Sequence, residues 1–312
     1  MSLDITALNS VKRVLFSVNL KPVQGTRFQP TGFPDLGAAT YKADTTQCLL
    51  VESAQSMANR MEKVCWDDAT NQPVDVLKGI SYIRVNQDEK FLTSSMIEAH
   101  RINSPYILES KDTTFMTAIS EELGVLSQGP IDRSLLASAL LKYDANCLIH
   151  GVFLAKKQLA GGRLRVARAL SAFIEATDAQ VAASGGVKND HVNPSGEAAK
   201  GFGNVPFHRE EYTGTITAFF NLDLGQIRGY GLGDNPTRLL TLLALYKIRA
   251  LLDGDLRLRT ACDLTVATDT IAADSPKGYV LPTLADLEQA LRGAIEICRD
   301  QMAGVTTVTY QA

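Results

Sequence analysis

Thr213–Leu224 reads TGTITAFFNLDL. Ile216, Ala218, Phe220, Leu222 and Leu224 fall on one face, and Thr215, Thr217, Phe219, Asn221 and Asp223 on the other. Such alternation predicts a half-buried β-strand. Downstream, Pro236–Leu252 is leucine-rich almost all round, with Asn235 placed to cap it, Pro236 in its first turn and Gly254 just past its end. This predicts a deeply buried helix. Arg257–Val266 follows as a strand, with Leu258, Cys262 and Leu264 inside and Arg257, Arg259 and Asp263 outside. Upstream, VKRVLFSVNLK (11–21) sets Val14, Phe16, Val18 and Leu20 against Arg13, Ser17, Asn19 and Lys21, again a half-buried strand. A helix is expected over Ser53–Cys65, with Ala54, Met57, Ala58, Met61 and Val64 facing the core. Further strands are expected at Cys147–Leu154 and in the second half of 164–183. The order strand, helix, strand, strand, helix, strand predicts an α+β fold on the split β-α-β-β-α-β (ferredoxin-like) pattern, with a helical insertion and a protruding arm or loop.

The expected division is a discontinuous core over 1–65 and 147–270. Residues 66–146 read as a mainly helical insertion, with helices at Phe115–Leu123 and Ile131–Tyr143. Residues 184–211 are rich in glycine and read as a thumb or arm within the core. Residues 271–312 read as a C-terminal helix starting at Thr283, where Asp286 completes a capping-box pattern.

With 45% hydrophobic residues the chain can bury a large core. No apolar run approaches the roughly 20 residues needed to span a bilayer. MSLDITALNS carries an acid at Asp4 and no apolar stretch, so no secretory leader and no membrane partner are expected. Cys48, Cys65, Cys147, Cys262 and Cys298 are widely separated, which predicts buried thiols in a reducing cytoplasm and no metal site. Catalytic signatures are missing: there is no GxSxG, HExxH or P-loop, and His100, His150, His191 and His208 stand singly. The run Gly229–Gly233 is GxGxG outside a parallel βαβ unit, so no nucleotide cofactor is expected. The expectation is a non-enzyme without cofactors.

The net charge is −3, but the cations are clustered. Lys12, Arg13, Lys21 and Arg27 follow one another with no acid between them, as do Lys156, Lys157, Arg163, Arg165 and Arg168. A locally basic surface on a mildly acidic protein suits the binding of one defined RNA. In PVQGTRFQPTGFPDLGAATY, Gly25 and Gly32 permit close backbone approach, Arg27 can hold phosphate, and Phe28 or Phe33 can stack on a base. Gln55, Ser56, Asn59 and Arg60 form a polar stripe on the following helix. Gly161-Gly162-Arg163-Leu-Arg165-Val-Ala-Arg168 offers three arginines behind two glycines. The candidate RNA-binding residues are Gln24, Gly25, Thr26, Arg27, Phe28, Gln29, Ser53, Gln55, Ser56, Asn59, Arg60, Arg163, Arg165 and Arg168 from these stretches, with Lys188 from the arm.

QGTRFQPTGFPDLG (24–37) with VESAQSMANR (51–60) resembles the backbone subunit of the type I-G (formerly I-U) CRISPR Cascade, in the "Cas-seven" branch of the RAMP superfamily. The likeness continues at 162–171, 185–190, 219–224 and 256–264 and is poorest over 66–146. The resemblance implies an RRM-like core with a protruding thumb loop, and several copies stacked along a crRNA, each thumb reaching over its neighbour, with bases left to pair with target DNA. It implies that Gln24–Asn59 and the Gly161–Arg168 run form one groove for that RNA. It implies as partners further copies, a large subunit and a repeat-processing subunit. An alternative from the same superfamily is a metal-dependent ribonuclease using a loop aspartate, Asp35 or Asp190.

Overall fold

The computed structural model describes residues 3–33, 37–124, 130–254 and 256–311. Its centre is built from β1 (Arg13–Pro22), α1 (Ala54–Lys63), β2 (Leu170–Lys188), β3 (Val205–Asp223), α2 (Asp234–Gly254) and β4 (Cys262–Val266). A seven-stranded antiparallel sheet runs in the order Arg257–Arg259, β4, β1, β3, β2, Thr46–Glu52, Thr40–Ala43. Phe16 lies opposite Phe220, and Ala172 lies on its other side, so one sheet face is continuously apolar. The helices α1 and α2 cover that face. The fold is mixed α+β around this sheet.

The alternating segments form strands where expected, and Ser53 caps α1 by accepting the Ser56 N–H at 3.2 Å. Thr283 likewise caps α3 (Leu284–Ile297), accepting the Asp286 N–H at 3.2 Å while its hydroxyl donates to the Asp286 carboxylate at 2.6 Å. Other boundaries differ. α2 begins at Asp234, so Asn235 lies inside its first turn rather than capping it. Cys147–Leu154, expected as one strand, is a helical turn over Asn146–His150 followed by a strand over Val152–Leu154. All of Ala145–His150 is buried, and a short, fully buried run reads the same for either state. Arg257–Val266 is a hairpin bent at Thr260-Ala261, not one strand.

The stretch 66–146 holds helices at Thr114–Glu122 and Arg133–Tyr143, but also strands at Tyr82–Gln87 and Lys90–Ser94. Tyr82–Gln87 pairs in parallel with Val305–Thr309, so the region after α3 ends in a strand rather than a helix. Pairing partners so far apart in the chain leave no local signal.

The arm is more regular than its glycines imply. Beyond Gln180, β2 pairs only with β3, giving a two-stranded ribbon out to Lys188↔Val205, roughly 30 Å long. Gly185 and Gly186 sit within it because the Phe207 strand lies close: a Cβ on Gly185 would meet the Phe207 carbonyl at 2.7 Å, and one on Gly186 would meet the Phe207 ring at 3.1 Å. Only 189–204 forms the tip. There Asp190 accepts the N–H groups of Val192, Asn193 and Gly203 at 2.8–3.0 Å, and these bonds hold its carboxyl below its ordinary pKa.

All five cysteines are buried free thiols. Among the described residues no helix is long and apolar enough to cross a membrane.

A polar network runs through the core between α1, the Asn146–His150 turn and α2. Glu62 takes Arg101 in a two-pronged pair at 2.6 and 2.8 Å and the Asn146 amide at 2.7 Å. The Lys247 ammonium donates to Asn146 Oδ1 at 2.6 Å. Beside them, burial pushes the Asp144 carboxyl from 3.8 up to about 6, against opposing hydrogen bonds from Cys147 and Ser95. Below pH 3.8 the group is protonated in both folded and unfolded chains. Between 3.8 and about 6 only the unfolded chain releases the proton, so stability falls as pH rises through that window and then levels off, a loss of about 3 kcal/mol. Asp144→Asn should abolish this slope. Urea unfolding of both proteins at pH 4 and pH 7 checks it, and equal slopes would refute the assignment.

Candidate nucleic-acid interface

Gln24–Gln29 is stitched between the root of the arm and the Thr260-Ala261 bend. Phe28 exchanges both backbone hydrogen bonds with Tyr212, at 2.9 and 2.8 Å, and the Gln29 N–H donates to Ala261 O at 2.7 Å. Between these stitches and the Val23 N–H bond to Asp263 O at 2.9 Å, Gln24, Gly25, Thr26 and Arg27 are exposed along a groove of about 430 Å³. Gly25 has φ +70°, a conformation side chains resist. Arg27 lies 3.6 Å from Glu211, and Asp263 lines the same groove, so this patch is not purely basic. Phe28, expected to stack on a base, is fully buried in the core because its strand-like pairing turns the ring inward. The Phe33 side chain and Asp35 lie outside the described residues.

On α1, Gln55 and Asn59 face solvent and bond each other at 3.0 Å. Ser56 and Arg60, expected beside them, turn instead toward the buried Glu52. The Ser56 hydroxyl and the Arg259 guanidinium both bond that carboxylate, and Arg60 Nε reaches it at 3.2 Å. Arg60 Nη2 also donates to Leu258 O at 2.7 Å. A buried carboxylate requires compensating cations, and Glu52 takes both arginines as internal braces. Ser53 is occupied as the helix cap.

The basic run lies against the start of α1. Arg168 donates to Ala54 O at 3.2 Å and to the Gln55 side chain. Gly162 is required there, since a Cβ would meet Ala155 O at 2.6 Å. Arg163 Nε donates to Ala160 O at 3.0 Å. Phe153 and Arg165 are cross-strand partners, and the guanidinium sits 5.2 Å from the ring centroid. Here the chain surrounds a cleft of about 1090 Å³ rimmed by Arg133, Arg163, Arg165 and Arg168. No Asp or Glu is among the described residues lining it. Burial, and then the neighbouring Arg101, lower the Arg168 pKa. His150 lines the cleft too, and burial followed by the charges of Lys247, Arg101 and Arg168 holds it neutral.

The structure thus brings Gln55, Asn59, Arg163, Arg165 and Arg168 together. Gln24–Arg27 forms a second patch, linked to the first through Gln29, Arg259 and Glu52. Lys188 stands at the far end of the arm and joins neither. Sequence reading missed Arg133, His150 and Phe153, which come from separate elements. It also missed that Phe173 stacks on the outward-facing Phe219 at 5.1 Å on the open sheet face. The alternation around both phenylalanines carried that signal, but only the strand register makes them neighbours. Among the described residues no three His, Cys, Asp or Glu side chains gather as metal ligands.

The family model described as "CRISPR-associated protein GSU0053 (Cas_GSU0053)" matches residues 14–181, more than half of the 312-residue chain. The chain belongs to this CRISPR-associated family. The matched span of this GSU0053-family protein contains both patches and the root of the arm. No curated protein matches it. Among solved structures, it is similar to a chain described as "CRISPR RNA-guided surveillance complex, pre-nicking", at 14% identity and a TM-score of 0.42, over 92% of this chain and 88% of that one.

Proposed function

We propose that this protein is a non-catalytic backbone subunit of a type I-G CRISPR effector (Cascade) complex. In this reading it binds the crRNA, stacks in several copies along it, and leaves bases free to pair with target DNA. A large subunit and a repeat-processing subunit are the further partners, and the setting is the cytoplasm. The core is read as RRM-like, because β4, β1, β3 and β2 lie side by side and are linked in the strand–helix–strand–strand–helix–strand order.

The observation that carries the reading is the arginine rim, lined by no Asp or Glu among the described residues and joined by Arg168 to the polar start of α1. Clustered arginines bind phosphates, and a phosphate-led interface tolerates the varied sequences of a guide. Asp190 is read as a clip for the arm tip rather than a nucleophile-activating group, since backbone N–H groups engage both its oxygens.

The test is fluorescence anisotropy with single-stranded RNAs of unrelated sequence over a salt series. Affinity should be similar across sequences and fall with salt at about 0.7 log units per phosphate contact. Arg165→Ala should weaken all of them alike and reduce the slope by about one contact. Unchanged binding in an Arg163→Ala, Arg165→Ala, Arg168→Ala triple variant that still folds would overturn the assignment.

A further inference from the structure

The arginine-rimmed cleft has a feature that phosphate contacts along a groove do not require. At its floor His150 is 1% exposed, and both ring nitrogens lack any hydrogen-bond partner. Buried polar groups are almost always satisfied, and one that is not points to a group missing from the isolated chain. A neutral imidazole carries one donor and one acceptor on diverging bonds, so it can offer one hydrogen bond to a polar atom of a ligand that reaches the floor. At the mouth, Phe153 is 48% exposed with the Arg165 guanidinium laid over its ring. Aromatic rings and guanidinium planes are the two surfaces on which unpaired bases stack. Arg133, exposed at the first position of its helix, makes no hydrogen bond or ion pair within the described residues and stands on the same rim. The volume of about 1090 Å³ leaves room for a nucleotide.

We infer that this cleft is a pocket for a single nucleoside phosphate, its phosphate on Arg133 and the Arg163–Arg168 rim and its base between the Arg165–Phe153 ledge and His150. The same chemistry comes from two sources: one unpaired nucleotide of a bound RNA strand, or a free mononucleotide. The RNA source rests on the function proposed above; the free-nucleotide source does not. Charge alone would serve an acidic peptide or inorganic phosphate equally. The exposed aromatic ledge and the unsatisfied imidazole select a planar, hydrogen-bonding ligand instead.

The experiment uses the full chain with three probes: single-stranded RNA containing 4-thiouridine, uridine monophosphate, and inorganic phosphate. Photocrosslinked RNA is mapped by mass spectrometry, and the small ligands are titrated by calorimetry. The expected crosslink lies in the peptide containing His150 and Phe153. Uridine monophosphate should bind at least tenfold more tightly than phosphate, and Arg133→Ala should weaken it severalfold. Phe153→Ala, an exposed position, tests the ledge without disturbing the core, and His150→Leu tests the floor.

RNA that binds but crosslinks only elsewhere, together with mononucleotide affinity unchanged by Arg133→Ala, overturns the pocket and leaves the RNA-binding reading intact. A chain that binds no RNA overturns that reading. The pocket then stands if uridine monophosphate still binds in an Arg133-dependent way, and falls if it does not. Equal affinity for phosphate and uridine monophosphate overturns the base-binding part.

Discussion

Glu62→Ala should lower the stability of the fold by about 3–5 kcal/mol, the usual result of removing one partner from a buried ion pair. Glu62 and Arg101 are each 6% exposed and joined by two hydrogen bonds, and the fully buried Lys247 reaches the same cluster through Asn146. Without the carboxylate, two cations remain in the core facing a neutral amide. Neither can reach water without opening the contact between α1, the Asn146–His150 turn and α2. Burial works against the Arg101 charge, but the adjacent Glu62 outweighs it and raises the arginine's pKa, so the guanidinium stays charged. Thermal unfolding followed by circular dichroism should show a midpoint lowered by roughly 6–20 °C. The double variant Glu62→Gln, Arg101→Leu should recover part of the loss, because it also removes one stranded charge. A single variant within 1 kcal/mol of the wild type would show that the network does not hold the core together.

Replacing 183–210 by Asn-Gly should leave folding intact while reducing the affinity for a long RNA on the order of 100-fold, about 3 kcal/mol per copy. Ala182 and Glu211 are paired opposite each other, and a two-residue turn of this kind closes such a pair without strain. The ribbon that is lost contributes little to the core, since Val187, Val192, Phe202, Val205 and Phe207 are all exposed. That many exposed apolar side chains on one projecting element is the mark of a surface meant to be covered. On the function proposed above, the cover is a neighbouring copy on the same RNA. Mass photometry of the chain with RNA long enough for several copies should show wild-type arrays and only scattered single copies of the shortened variant. Equal arrays from both would remove the arm from assembly, and a large drop in unfolding midpoint would mean that it supports the fold.

Much of this architecture is legible in local sequence. β1 and β3 follow from strict alternation, α1 and α3 from their Ser53 and Thr283 caps, and α2 from its leucines and Pro236. The basic run and the polar start of α1 are visible as composition. The errors share one cause. Phe28 reads as an exposed aromatic in a polar loop, yet its pairing with Tyr212 drives it into the core. Ser56 and Arg60 lie on the polar side of α1, yet Glu52 from the preceding strand draws both inward, and the Leu258 carbonyl of a distant hairpin holds Arg60 there. Tyr82–Gln87 acquires its partner only from Val305–Thr309.

Alternation and capping act over two to four residues, so the sequence by itself determined the main strands, the helices and where the positive charge is concentrated. What only the tertiary structure decided is which of those groups meet. The cleft takes Arg133 from a helix, His150 and Phe153 from either side of Gly151, and Arg165 and Arg168 from the run leading into β2. Their convergence depends on how long chain segments pack over the apolar sheet face, and no local periodicity encodes that path.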